Sequence, residues 1–596
     1  MHTGTHNIKL IFGQDRRLVV PLYQRPYVWN REQQWEPLWE DMRALAERIL
    51  QHKPVRPHFM GAIVLDQIPQ PTGKLENRLI IDGQQRLTTI QALLEAFADI
   101  CAVVGADVVS AERYHRALLQ LTRNTAPLSD DPDDQYKVWP TNVDQKQFRR
   151  VMQAGSPDQL DLHVLPSIHL IADAYVFFYR VILTWLAPTE PGFEKRLDAL
   201  YDVLCDCVRM VVIDLDHEDD AQLIFETLNA RGTPLLPSEL VKNFLLRRAT
   251  LEGEQIEPLY RQYWQPFDVN ADYWRKELGP GHAKRARIDL YLQHYLTLKT
   301  RDDVPVAHLY TAFREYATDG DKASSHLESL QRYAQVYRSF DTMDRSTRAG
   351  LFFRRLRQLD ITTAYPFLLE LLSRYKDQHT QVGQVLADIE SLLVRRMVCQ
   401  LSTRGYNRLF INLIDHLDGP EDGLTVRVRK FLISSEAESN RWPRDPEFRQ
   451  AWLDLPLYHT LRRERIRMLL EALERHLYSE LTEGIEVKGG LTIEHLMPQD
   501  WHKHWPLPGD VPIEDAERNR EQLLHTMGNL TLLTKALNPK VSNGPWDEKR
   551  AAILQHSALT LNRKLQDCPG WDEKAIVRRG QTLFEVAQQI WPFPQI

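Results

Sequence analysis

Between about residues 247 and 440, apolar side chains recur at intervals of three and four, as in "LDITTAYPFLLELLSRY" and "VLADIESLLVRRMVCQL". A segment with that period folds as amphipathic helices packed on one another and offers no alternating edge to a sheet. The segment reads as almost entirely helical. Before residue 247, short β-rich runs ("RLVV", "GAIVLDQ", "NRLIID", "VRMVVIDLD") are separated by helices such as Leu87 to Val104 and the aromatic-rich Ile168 to Leu186. After residue 440 comes a further helix, "LYHTLRRERIRMLLEALERHLY", and then a change at "EVKGGLTIEHLMPQD". Gly489 and Gly490 break the helix, and "LTIEH" has the β-branched content of a short strand. A loop rich in proline and tryptophan leads to a second strand, "NLTLLT", and then to "GPWDEKRAAIL", a helix opened by proline and acidic residues. The 596 residues exceed what one core organises. The expectation is an α+β, mostly helical chain with domains at 1–246, 247–440 and 441–596, the middle one a helical linker or docking region.

The formal net charge is −7, so the chain as a whole does not attract nucleic acid by bulk charge. Three runs are locally basic: "GLFFRRLRQL" from Gly350, "RRMVCQLSTRGYNRLF" from Arg395 and "LRRERIRMLL" from Leu461. Arginines on the solvated face of amphipathic helices are sufficient to explain each. The five cysteines, at 101, 205, 207, 399 and 568, make no CxxC pair and no regular framework. That disfavours a disulfide scaffold or a zinc ribbon and suits a reducing cytoplasm. The first residues lack a charged-then-apolar leader pattern, and no apolar run is expected to reach the ~18 residues that span a bilayer. The expected location is cytoplasmic, with no membrane partner.

At the end of "LTIEH" a carboxylate, Glu494, directly precedes an imidazole, His495, and Pro498 follows. A neutral imidazole can take a proton from water at cellular pH, since its ordinary pKa is about 6.5. A glutamate oxygen is a hard ligand of the kind Mg2+ or Mn2+ accepts. Successive side chains of a strand point to opposite faces, so the two share a site only where the strand ends. Pro498 marks that end. Asn529, at the start of "NLTLLT", is placed to hydrogen-bond the loop that carries His495, and Asn538 offers a carbonyl oxygen to a metal. His502 and His504 in "WHKHW" offer zinc as an alternative, without cysteines or a second spaced pair to complete it.

Together, "IEHLMPQ … GNLTLLT … LN … SN" resembles the HNH, or ββα-metal, nuclease motif in the version found in the DUF1524 family. By that resemblance His495 is the general base, Glu494 the metal-binding acid, Asn529 the structural asparagine of the catalytic unit and Asn538 the metal-binding asparagine. Asn543 and Lys540 are nearby candidates for metal and for phosphate or DNA contact. Many relatives carry aspartate where this chain has Glu494.

The amino-terminal stretch "NRLIIDGQQRLTTIQALLEAF" reads as a strand ending at Asp82, a tight turn at Gly83 and a helix beginning near Arg86. Backbone amides at a helix amino terminus attract anions, and Arg86 adds a planar fork that matches phosphate oxygens. Gln84 and Gln85 are neutral donors, and Asp82 can hold a metal or position a water. Turn-glycine and helix-cap roles explain the same residues without a ligand. In "LYQRPYVWN", Tyr23, Arg25, Tyr27 and Trp29 alternate, and Pro26 biases Arg25 towards an extended backbone, which aligns the four on one side. They can stack a base or anchor the core, and both readings stay open. A third stretch, "VVIDLDHEDDAQLIFETLNARGTPLLPSELVKNFLL", carries a capping-box pattern at Asp219 and Gln222, and Gly232 suits a left-handed helix cap. Arg231 is a second candidate for the anion at Arg86.

"YQRPYVW", "DGQQRLTT" and "FETLNARGTPL" resemble the DUF262 family, whose core is similar to the ParB and sulfiredoxin fold. The resemblance implies that Asp82, Gly83, Gln84, Gln85, Arg86, Thr88 and Arg231 bind a nucleoside triphosphate (ATP, GTP or another). DUF262, a helical region and DUF1524 in that order look like the GmrSD-type modification-dependent (type IV) restriction enzymes, including the BrxU and SspE groups of phage-defence proteins. What this implies is a nucleotide-gated, Mg2+- or Mn2+-dependent endonuclease that cleaves modified phage double-stranded DNA, with a homodimer as the expected assembly. Two alternatives stand beside it: a nucleotide-switched DNA-binding regulator with an inactive HNH-like scaffold, and an HNH RNase or nickase toxin.

Overall fold

The structure is a computed structural model and describes the chain apart from residues 1, 23, 68–74, 105–107, 126–130, 161–168, 216–235, 280–283, 319, 420–422, 479–489, 510–511, 542 and 596. Its class is α+β and mostly helical. It divides into two compact units, Met1–Lys276 with Ala317–Leu327, and Glu277–Tyr316 with Glu328–Ile596.

The first unit is organised by a six-stranded mixed sheet. Its strands are β1 (His2–Asn7), β2 (Arg16–Val19), β3 (His58–Gln67), β4 (Glu76–Asp82), β5 (Val138–Trp139) and β6 (Val208–Leu215), in the order β1-β6-β3-β4-β2-β5. β1 with β6 and β3 with β4 run antiparallel, and the remaining neighbours run parallel. The four β-rich runs of the sequence are β2, β3, β4 and β6. The other two strands carry no such signal, because "HTGTHN" is an edge strand without buried apolar alternation and β5 is two residues long.

β4 passes through Gly83 into helix α1 (Gln84–Val104). Gly83 has φ +96°, and a Cβ there would lie 2.5 Å from Ile63 Cγ2, so any side chain would be both strained and in collision. α1 starts two residues earlier than Arg86 because the turn is complete at the glycine. It packs against α2 (Val109–Thr122) and α3 (Leu170–Leu186), and Leu87 to Cys101 are buried without a break. Contrary to the expectation from sequence, α1 is long and apolar enough to cross a membrane by length and composition. That apolarity is taken up by the core, which surrounds the helix on all sides.

In the second unit we label α4 (Arg348–Leu359), α5 (His379–Val398), α6 (Leu457–Thr460), α7 (Arg463–His476), β7 (Leu491–His495), α8 (Ile513–Leu524), β8 (Leu530–Thr534), α9 (Asn538–Val541), α10 (Trp546–His556) and α11 (Glu573–Ile590). β7 and β8 form an antiparallel pair with Glu494 opposite Thr531 and His495 opposite Leu530. The segment between them, read as a loop, contains α8, which has Glu514 and Asp515 in its first turn. The tryptophans of this region close the core: Trp501, Trp505, Trp546 and Trp571 are buried with Leu496, Met497 and Leu533. Gly528, just before β8, allows a close approach, since a Cβ there would overlap the Ile576 carbonyl of α11. α7 touches both α4 and β7, so the helical bundle and the strand pair form one body within this unit.

Candidate active site

β7 ends at His495, as the proline three residues on requires, and the turn after the strand is held by Asn529. The Asn529 side chain is fully buried. Its Oδ1 accepts from Met497 N at 2.8 Å and from Trp571 Nε1 at 3.1 Å, and its Nδ2 donates to Met497 O at 2.9 Å and Leu524 O at 3.0 Å. Its four hydrogen bonds are all made, and two of them fix the backbone two residues beyond His495. The imidazole that results is buried but not in an apolar setting. Its Nε2 lies 3.3 Å from His525 Nδ1, its Nδ1 lies 3.5 Å from Gln499 Nε2, and the Tyr458 ring stands edge-on with centroids 4.3 Å apart. Burial, followed by the nearby His525, Lys549, Arg463 and His459, pushes the His495 pKa down to about 3, so the ring is neutral at cellular pH. If the Nε2 proton is directed to His525, Nδ1 is the atom left with a free lone pair facing Gln499.

Alternation along β7 turns Glu494 to the opposite face from His495. There it meets Lys549 of α10, whose Nζ donates to Glu494 Oε1 at 2.5 Å and to the His495 carbonyl at 2.7 Å. The Lys549 side chain has no exposure and that of Glu494 has 13%. Burial raises the Glu494 carboxyl above its ordinary range and lowers the Lys549 ammonium below its own, while each partner opposes the shift of the other. Asn538 shares the Glu494 face, donating to Thr492 Oγ1 at 2.9 Å and to Ile493 O at 3.3 Å. Asn543 is exposed and donates to Asp500 Oδ2 at 3.5 Å, and Lys540 is exposed on α9. Glu494 Oε2 and the amide oxygens of Asn538 and Asn543 have no protein donor among the described residues. They are hard oxygens, and by donor type they fit Mg2+ or Mn2+. Among the described residues no group of three or more His, Cys, Asp or Glu side chains gathers as a metal centre. His502 instead stacks on Trp501 with ring centroids 4.0 Å apart.

His525, Lys549 and Tyr458 are in this site and carry no sequence signal of it. Lys549 reads as one more polar residue of a helix, and only the packing of α10 against the end of β7 brings it to Glu494.

In the first unit, "QRPYVW" and "DGQQR" are one structure. Gln85 is buried; its Oε1 accepts from Val28 N at 2.8 Å and Trp29 N at 3.4 Å, and its Nε2 donates to Pro26 O at 3.1 Å. Gln84 Nε2 donates to Arg25 O at 3.0 Å, and Arg86 Nη1 donates to Ala62 O at 2.8 Å with Asp82 at 3.5 Å. Both glutamine amides, expected as neutral donors to a ligand, are thus engaged with protein backbone. Tyr27 takes the core alternative over base stacking: it is buried, its ring stacks on Trp35 at 6.5 Å, and its hydroxyl lies 2.6 Å from Thr89 Oγ1 and accepts from Trp35 Nε1 at 2.8 Å. Thr88 is buried, whereas Arg25 and Trp29 are half-buried. Tyr23, Arg231, and the capping residues Asp219, Gln222 and Gly232 lie outside the described residues. The Gln85→Ala variant is expected to lose about 2 kcal/mol of stability by leaving buried backbone groups unpaired. Urea unfolding monitored in this unit measures it, and an unchanged midpoint would show that water replaces the amide.

Residues 8–246 match the family model described as the GmrSD restriction endonuclease, N-terminal domain. Residues 442–586 match that of the GmrSD restriction endonucleases, C-terminal domain. The search of curated proteins finds no match. The two models take in more than half of the chain, and their order is that of its two motif-bearing ends. The chain belongs to the GmrSD restriction endonucleases, a family of nucleases that act on DNA.

Proposed function

We propose that the chain is a nucleotide-regulated, metal-dependent endonuclease of the HNH type that cuts modified foreign DNA. In this reading the amino-terminal domain is ParB/sulfiredoxin-like and the carboxy-terminal one is ββα-metal. The observation that carries the nuclease half is the Asn529 clamp on Met497, which holds a neutral imidazole at the end of β7, one residue from Glu494. Nδ1 of His495 takes the proton from the attacking water, and Nε2 keeps its own through the contact with His525. Glu494, Asn538 and Asn543 would hold Mg2+ or Mn2+, which supplies charge stabilisation at the scissile phosphate when bound. Lys540, exposed on α9, is placed for a phosphate contact.

On the nucleotide side, the amides that open α1 have no partner within the helix and attract an anion. Arg25, held beside them through its own carbonyl, has a side chain with no partner among the described residues. Arg25, Asp82 and Arg86 are the groups that would meet a triphosphate there. A homodimer would bring two nuclease units to a duplex, the simplest route to double-strand cutting by a chain with one such unit.

One observation favours the alternative in which the HNH-like unit is a scaffold for a DNA-binding regulator: Lys549 already neutralises Glu494. A digest of modified and unmodified phage genomes with Mg2+ or Mn2+, each with and without nucleoside triphosphate, separates the two. The expected result is cleavage of modified DNA that depends on nucleotide. DNA left intact under every condition would favour the regulator, and degradation of structured RNA alone would favour a toxin.

A further inference from the structure

The three basic runs of the sequence have two different fates. In "RRMVCQ", Arg395 and Arg396 at the end of α5 are fully buried. Arg395 donates to Trp591 O, Pro443 O and Asp445, and Arg396 donates to the carbonyls of Ser402, Glu438, Ser439 and Arg441. These two guanidinium groups tie helices to loops and are not available to any partner. The other two runs converge. Arg354 and Arg357 on the outward side of α4, Arg345 just before it, and Arg462 at the start of α7 line one open hollow of about 560 Å³ together with Asp360 and Glu464. The lining thus has four guanidinium groups against two carboxylates, in a chain whose net charge is −7.

The ion pairs at this hollow are of the kind that exchanges. Arg354 meets Glu471 at 2.9 Å, Arg357 meets Asp341 at 2.9 Å and Arg462 meets Asp360 at 3.3 Å, with the arginine side chains 42%, 42% and 70% exposed. Such exposed pairs are worth about 0–1 kcal/mol each, so a phosphate oxygen can replace the carboxylate at little cost. Arg345 has no side-chain partner among the described residues. A chain of side-chain contacts runs from the next residue after Arg462 to the candidate active site. Arg463, next to Arg462, lies with its guanidinium carbon 3.4 Å from the centroid of the Tyr458 ring, and Tyr458 is the ring that stands edge-on to His495. α7 itself packs against both α4 and β7.

We infer that this arginine-lined hollow binds the sugar–phosphate backbone of double-stranded DNA and aligns the duplex with the site at His495. The inference rests on the nuclease reading above and adds the surface that reading lacks. Exposed arginine forks match phosphate geometry without reading bases, so the contact is independent of sequence.

The test is binding of a short fluorescent DNA duplex to the full chain in EDTA, titrated across roughly 50 to 200 mM salt. The proteins compared are the wild type, His495→Ala, the quadruple variant Arg345→Gln, Arg354→Gln, Arg357→Gln, Arg462→Gln, and a control with Arg43, Arg116, Arg149 and Arg261 changed to Gln. The control arginines are also exposed and ion-paired. Circular dichroism checks the fold of each. The expected result is that the first quadruple variant binds on the order of 100-fold more weakly, with its salt slope reduced by about 3, while His495→Ala and the control bind as the wild type does. Wild-type binding by the first quadruple variant, or equal losses in the control, overturns the assignment of the surface and leaves the nuclease reading standing if the wild type still cuts. Tighter binding to duplex RNA than to duplex DNA also overturns it. A wild type that neither binds nor cuts DNA removes the nuclease reading, and the inference with it.

Discussion

His495→Ala is expected to lower the single-turnover rate of DNA cleavage by about a thousandfold, the scale of a lost general base. DNA binding is expected to change little, and stability to fall by about 1–2 kcal/mol, the scale of deleting a buried side chain. The ring lies at the end of the strand pair, so its loss leaves the Asn529 clamp on Met497 and the Glu494–Lys549 pair untouched. The experiment is a burst measurement on modified phage DNA with Mg2+ or Mn2+ and nucleotide, beside a thermal melt of the same protein. Near-normal cleavage by the variant would assign the proton transfer to another group, with His525 the first to test, because it shares the hydrogen bond with His495. His525→Ala distinguishes the roles. If His525 orients the ring, its removal reduces the rate less than removal of His495, and His525→Gln, which keeps a polar atom near Nε2, recovers part of the loss.

The second large effect is on stability. Lys549→Met is expected to cost about 3 kcal/mol or more, because it strands a buried carboxylate and leaves the His495 carbonyl without a donor. The double variant Glu494→Gln, Lys549→Met is expected to recover more than half of that, since the uncompensated charge is then gone. The pH dependence has a definite sign. Burial already holds the Glu494 carboxyl above its ordinary range, and without the ammonium the preference for the protonated form increases. A carboxyl raised in the fold favours the folded state at low pH and loses that contribution as pH rises. The deficit of Lys549→Met is therefore largest at neutral and alkaline pH and shrinks as the solution is acidified towards the carboxylate range. Urea unfolding at several pH values reads it. A deficit that is small and flat with pH would mean that water reaches Glu494 freely, in conflict with its 13% exposure.

These two residues also mark how far the site was legible in advance. Glu494, His495 and Asn529 are close in sequence to β-strand and turn signals, and their local geometry follows from alternation, strand ending and the reach of an amide. What Glu494 meets does not follow from that. It is neutralised by a lysine 55 residues away on α10, and the sequence of α10 is equally consistent with a solvated lysine. In the first unit, "DGQQR" announces the strand, the glycine turn and the helix. It does not announce that Gln84 and Gln85 hold the backbone of "QRPYVW", because that depends on where a loop some sixty residues earlier comes to rest.

By itself the sequence determined the elements whose signals are local: four of the six strands in the amino-terminal sheet, the helical middle, the strand pair around His495 and the family to which both ends belong. Periodicity and turn chemistry act over a few residues, so they are written where they act. Only the tertiary structure decided which charges are buried. Arg395 and Arg396 read like Arg354 and Arg357, yet the first pair is enclosed by carbonyls and the second pair lines an open hollow. The cost or gain of a charge depends on what surrounds it in three dimensions, and those surroundings come from segments far apart along the chain.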